Sequence, residues 1–130
     1  MRAIIVAVIS VLAVVGVRAD EAGSRVVGDE LRALVNGANV THVTRAGSER
    51  RWTDEADGTL VASSTNKKRG SAMGGAVTAQ GKWSVSADDK YCVEIDWKRE
   101  DEKWCAAIIK ADGSYYLNSV DPARKIEFSR

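Results

Sequence analysis

Apolar and polar positions alternate with a period of two through most of the second half of the chain. Tyr91, Val93, Ile95 and Trp97 share one face of an extended segment, and Cys92, Glu94 and Asp96 share the other. That period marks a strand with one side on a core. Beyond it, Trp104, Ala106 and Ile108 alternate with Cys105, Ala107 and Ile109. Strands are expected at Val40 to Thr44, Glu49 to Thr53, Thr59 to Ser63, Gly81 to Ser86, Lys90 to Trp97, Lys103 to Lys110 and Ser114 to Ser119. Asp57-Gly58, Ala87-Asp88-Asp89 and Asp112-Gly113 supply the turns between them. Gly37, Gly58, Gly81 and Gly113 are read as turn glycines.

A helical spacing occurs at one place. Leu31, Leu34 and Val35 fall on one face of Glu30 to Val35, with Asp29 placed to cap the start and Asn36-Gly37 to end it. A first strand is the alternative for this stretch. Residues 20–28 read as a lead-in, Asn66 to Gly75 as a basic and then glycine-rich loop, and the segment from Asp121, with the single proline Pro122, as a tail. Seven short strands and one short helix predict a mainly β domain. The expected form is a small antiparallel meander, or a lipocalin-like or half-open β-barrel with one short N-terminal helix, because closure removes exposed strand edges.

The N-terminus changes the setting. Met1-Arg2 precede an apolar run from Ala3 to Val17, and Val17-Arg18-Ala19 carries the small residues a signal peptidase reads. Residues 1–19 are therefore expected to be a signal peptide, with 20–130 a single β domain exported to the periplasm or secreted. The apolar run of about 15 residues is short for a membrane span of about 20, although an uncleaved anchor is the alternative. No cysteine stands at the expected cleavage site to carry a lipid. Cleavage would leave 17 Lys+Arg against 18 Asp+Glu, a formal charge of −1. Such a surface argues against a general nucleic-acid binder.

Export and a count of two cysteines make a Cys92–Cys105 disulfide the expectation, against two free thiols. Pairing them places Trp104 on the core side with Val93 and Ile95, and the sulfurs outside. Closing about 14 residues is worth roughly 3 kcal/mol by the chain-entropy argument. No CxxC spacing points to redox catalysis.

Candidate chemistry is sparse. The single histidine, His42, lies in a β-branched strand and has no partners for a zinc site. Nothing matches a G-x-S-x-G elbow, and Ser71 sits in a small-residue loop. Glu94 and Asp96 point the same way about 6.5–7 Å apart, a separation open to acid–base glycoside hydrolysis and equally to surface ion pairs. Lys67, Lys68 and Arg69 lack the Lys-Ser/Thr step of a phosphate loop, but a basic loop attracts anionic polymers. Four tryptophans and three tyrosines serve mainly as core. Trp83, Trp97 and Trp104 serve the core and one rim, while Trp52, Tyr115 and Tyr116 join Lys67, Lys68 and Arg69 as candidate binding residues. No cofactor or metal is expected.

Several segments together carry a resemblance. They are Glu30-Leu31 with Leu34, Asn36-Gly37-Ala38-Asn39-Val40, Asp57-Gly58-Thr59, Gly81-Lys82-Trp83-Ser84-Val85, Tyr91-Cys92-Val93, Trp97, Glu102, Trp104-Cys105 and Asp112-Gly113-Ser114-Tyr115. Over residues 29–117 the chain resembles the DUF995 domain proteins, a family of uncharacterised exported bacterial proteins. The resemblance implies the domain boundary, the disulfide and a periplasmic address, and brings no catalytic set. The charged run Lys98 to Lys103 departs from the pattern and leaves that hairpin's length open.

The expected function is an exported, non-enzymatic binding or structural protein of the bacterial envelope, acting as a monomer. Its partner would be an envelope protein, a cell-wall polymer or a small ligand. The alternatives are a cell-wall hydrolase using Glu94 and Asp96, an inhibitor or immunity-type protein inserting the Asn66–Gly75 loop, and a secreted host-directed effector.

Overall fold

The computed structural model describes residues 23–66, 77–98 and 100–130. The expected signal segment 1–19, the basic run Lys67, Lys68 and Arg69, and Ser71 lie outside these residues.

Among the described residues, ten strands form one antiparallel sheet. They are β1 (Ser24–Val26), β2 (Asn39–Val43), β3 (Ser48–Thr53), β4 (Thr59–Asn66), β5 (Val77–Val85), β6 (Tyr91–Asp96), β7 (Asp101–Ala106), β8 (Ile108–Ala111), β9 (Ser114–Leu117) and β10 (Lys125–Ser129), with one helix, α1 (Gly28–Val35). The order across the sheet is β1-β8-β9-β10-β2-β3-β4-β5-β6-β7. Strands β7 and β8 are separated only by Ala107, yet one closes an end of that order and the other stands next to the opposite end. The sheet therefore curls until its two ends share one bent stretch of chain, which makes a half-open barrel.

Contacts across the interior show the curl directly. Trp52 on β3 lies 6.4 Å from Trp104 on β7, with three strands between them in the sheet. Tyr91 on β6 meets Phe128 on β10 edge-on at 5.8 Å. The inward faces bury Val40, Leu60, Val93, Ile95, Ile108 and Ile126 almost completely.

Helix α1 closes one end of the barrel with Leu31 and Val35, both fully buried, and Leu34 packed beside them. The expected Asp29 cap is not made. Val27 is the N-cap, without a side-chain bond, and Asp29 lies inside the first turn 3.7 Å from Arg32. There its charge complements the positive end of the helix. Asn36-Gly37 ends the helix as expected, with Gly37 at φ 72°, and Arg130 bonds the carbonyls of Ala33 and Asn36.

Other boundaries move for physical reasons. The lead-in contains β1, which pairs with β8 through Ser24↔Lys110 to Val26↔Ile108. The tail contains a 3-10 turn at Pro122–Arg124 and then β10, whose Ile126 and Phe128 alternate inward between β9 and β2. The single strand expected from Lys103 to Lys110 breaks at Ala107, because the two halves pair with opposite ends of the sheet. Asn118, at φ 67°, holds the corner by accepting from Ala107 N at 3.0 Å and donating its own N–H to Ala107 O at 2.8 Å.

Gly81 is not a turn residue. It lies within β5, and a Cβ there would stand 2.1 Å from the Glu94 carbonyl oxygen and 3.0 Å from Leu60 Cδ1. Only a residue with no side chain lets β5 approach β6 this closely. Gly81→Ala is expected to cost about 2 kcal/mol through this overpacking, read as a lower urea midpoint. An unchanged midpoint would mean that β5 can move away from Glu94 without loss.

Cys92 and Cys105 face each other in the β6–β7 register and are joined, with Cα atoms 4.0 Å apart. Tyr91, Val93 and Ile95 are fully buried on the other face of β6. The bridge is thus an external tie on β7, whose one sheet neighbour among the described residues is β6.

Candidate functional site

The interior beyond the helix-capped end is layered, and its polar groups lie in two layers. Nearest α1 is Asp54, which follows β3 and is fully buried. Its backbone is pinned on both sides, with N–H to Ala38 O at 2.9 Å and C=O from Gly37 N at 2.8 Å. The Tyr91 hydroxyl lies 2.8 and 2.7 Å from its two carboxyl oxygens, and Trp52 Nε1 donates at 3.1 Å to Oδ1 and at 3.0 Å to the Tyr91 oxygen. Burial raises the Asp54 pKa to about 7, against the opposing pull of the Tyr91 and Trp52 bonds. Burial and the neighbouring Asp54 likewise hold the Tyr91 phenol well above its ordinary value.

Trp104 separates this layer from the next, edge-on to Tyr91 at 5.7 Å. Beyond it Arg50 of β3 forms an ion pair with Glu102 of β7 across the interior. Both are inward positions two residues before a core-side tryptophan, Arg50 before Trp52 and Glu102 before Trp104. Glu102 also accepts from Trp97 Nε1 at 3.2 Å and from Trp104 Nε1 at 2.7 Å. The Arg50 guanidinium sits 5.6 Å over the Trp97 ring. Its Nε is buried and has no partner among the described residues.

Two cavities share the Arg50–Glu102 pair. One of about 450 Å³ opens beside Trp97, Glu100, Asp101 and Lys103. The other, about 270 Å³, lies in the seam beyond the free edge of β7 and is lined by His42, Trp104, Ala106, Leu117, Asn118 and Arg124. The seam exists because the chain leaves β7 at Ala107 to pair with β9, so no strand among the described residues lies beside β7 on that side. His42 is half-buried, and its Nδ1 lies 3.0 Å from Lys125 O. A carbonyl only accepts, so Nδ1 carries the proton and Nε2 is the acceptor of the neutral ring.

The sequence candidates are scattered. Trp52 is 3% exposed and belongs to the core, so it offers no rim surface. Tyr115 packs edge-on to Phe128 at 5.6 Å, and Tyr116, next in β9, points to the opposite face. Trp97 and Trp104 both meet Glu102, whereas Trp83 donates to Glu55 O at 2.7 Å and lines a separate cavity with Trp104. Glu94 and Asp96 lie on the outer face of β6, where Asp96 is exposed. Glu94 is held on the outer face between Lys103 at 3.1 Å and Lys82 at 3.3 Å, and the bonds from Lys103 and then Lys82 keep its carboxyl below the ordinary range. A general acid needs the opposite shift. Among the described residues no group of three or more His, Cys, Asp or Glu side chains could hold a metal ion, and no helix is long and apolar enough to cross a membrane.

Arg50, Glu102 and Asp54 were the missed residues. The charged-x-Trp spacing in Arg50-Arg51-Trp52 and Glu102-Lys103-Trp104 is the signal that places the first two inward. Comparison with protein-family models, with curated proteins and with solved structures finds no match. The resemblance to DUF995 proteins rests on the residues quoted for it alone.

Proposed function

We propose that this protein is an exported, non-enzymatic binding protein of the bacterial envelope that takes its ligand at the open end of the barrel. The observation that carries this reading is the fixed clamp of Arg50 and Glu102 with Trp97 and Trp104, lying between two open cavities. Every polar group of Glu102 is committed to holding that frame, so the wall is preorganised for recognition. The outward Glu94 and its lysine partners weigh against hydrolysis. Export rests on the sequence of residues 1–19.

The test starts with the full chain expressed in a bacterial host. Envelope fractionation and the mass of the mature protein should show cleavage before Asp20. The processed, oxidised protein is then used to capture envelope material, beside Arg124→Gln. Material retained by the wild type and lost with Arg124→Gln supports binding at the open end. Equal retention by both, or an unprocessed cytoplasmic product, would overturn the reading.

A further inference from the structure

We propose that the seam cavity binds a small organic monocarboxylate with an apolar body, an inference that rests on the binding reading above and names its ligand class. Three features converge on that chemistry.

The first is the balance of donors and acceptors. Among the described residues Glu102 is the one acidic side chain lining the cavity, and it is taken up by Arg50, Trp97 and Trp104. Arg50 keeps N–H groups that Glu102 does not use, since a guanidinium carries five. Arg124 is exposed, and its side chain has no hydrogen bond or ion pair among the described residues. Asn118 uses its side-chain oxygen to accept from Ala107 N, which fixes the amide orientation and leaves its Nδ2 donors unspent. Against the one acceptor at His42 Nε2, the other unspent polar groups named are donors, two of them cationic, and a carboxylate is their complement.

The second is the floor. Trp104 and the small exposed parts of Ala106 and Leu117 make the apolar share of the lining. That surface gains nothing from inorganic phosphate or sulfate and gains from an alkyl or aryl group. The third is size. A volume of about 270 Å³ is just below the usual range for ligand sites and suits only a small ligand. It is room enough for a medium-chain acid.

Octanoate is the probe, with octanol, acetate and inorganic phosphate as comparisons, titrated into the oxidised protein by calorimetry and by amide chemical shifts. Octanoate should bind at least about tenfold more tightly than any of the three, with the largest shifts at Trp104, Ala106, Leu117 and Asn118. Arg124→Gln should weaken octanoate about tenfold. Asn118→Asp keeps the oxygen that holds Ala107 and exchanges the donor for a negative charge, so it should abolish octanoate binding while the melting temperature stays near that of the wild type.

Absence of octanoate binding, or equal binding of octanol, overturns the proposal. If octanoate fails while both variants lose the captured envelope material, the ligand class is wrong and the open-end reading stands. If octanoate binds as expected while capture is unaffected by either variant, the ligand class stands and the envelope-capture reading falls.

Discussion

Raising the pH from 5 to 8 is expected to lower the unfolding free energy by about 3 kcal/mol through Asp54 alone. The carboxyl is fully buried, and its folded-state pKa is raised from 3.8 to about 7. The folded protein therefore holds a proton that the unfolded chain releases. This contribution is whole below about pH 4, declines as the pH rises through the window, and is gone above about pH 8. Across the full window, about 3 pH units at 1.36 kcal/mol each give about 4 kcal/mol. Asp57, Asp88 and Glu94 are shifted downward, so they act below the ordinary carboxylate range and leave this window untouched. Asp54→Asn keeps an acceptor for Tyr91 and Trp52 and removes the ionisable group. Its stability should match the wild type near pH 5 and exceed it at pH 8. Urea unfolding at the two pH values decides the matter, and parallel pH profiles for the two proteins would show that Asp54 does not carry the proton.

Opening the Cys92–Cys105 bridge should cost about 3 kcal/mol, from the loop-closure entropy of a crosslink spanning 13 positions. For a domain of this size the melting temperature should fall by roughly 10 °C. The loss has a location as well as a magnitude. β7 is tied to the sheet by β6 on one side and borders the seam on the other. Without the bridge, the amides of Trp104 and Ala106 should exchange faster, by a larger factor than those of β3. Octanoate binding should weaken with them, because Glu102, Trp104 and Ala106 all belong to β7. A melting curve unchanged after verified reduction would show that packing alone holds this strand.

The legible features were local ones. Asp57-Gly58 and Asp112-Gly113 state their turns in two residues, and the six-residue alternation from Tyr91 assigns both faces of β6. Those faces bring the cysteines opposite each other. β1 was not legible, because three residues carry too little periodicity. β10 was hidden behind Pro122 and flanked by charges, although Ile126 and Phe128 do alternate. The break at Ala107 leaves no mark, because Trp104, Ala106 and Ile108 keep the same alternation through the corner. Asp54 resembles an ordinary acid ahead of a turn. What makes it different is Tyr91, 37 positions away. Arg50 and Glu102 were open to recognition, since each precedes a tryptophan by two. Their pairing was not, because it depends on the sheet curling through three intervening strands.

All four indole N–H groups are engaged, and three of them face carboxylates: Trp52 faces Asp54, while Trp97 and Trp104 face Glu102. Indole emission responds to charge beside the ring, so the chain carries its own optical reporters. A shift that follows the titration of Asp54 and vanishes in Asp54→Asn belongs to the closed end of the barrel. A shift that follows added carboxylate at fixed pH and survives that substitution belongs to the seam. Proton uptake in the core and occupancy of the mouth can therefore be read separately on the unlabelled protein.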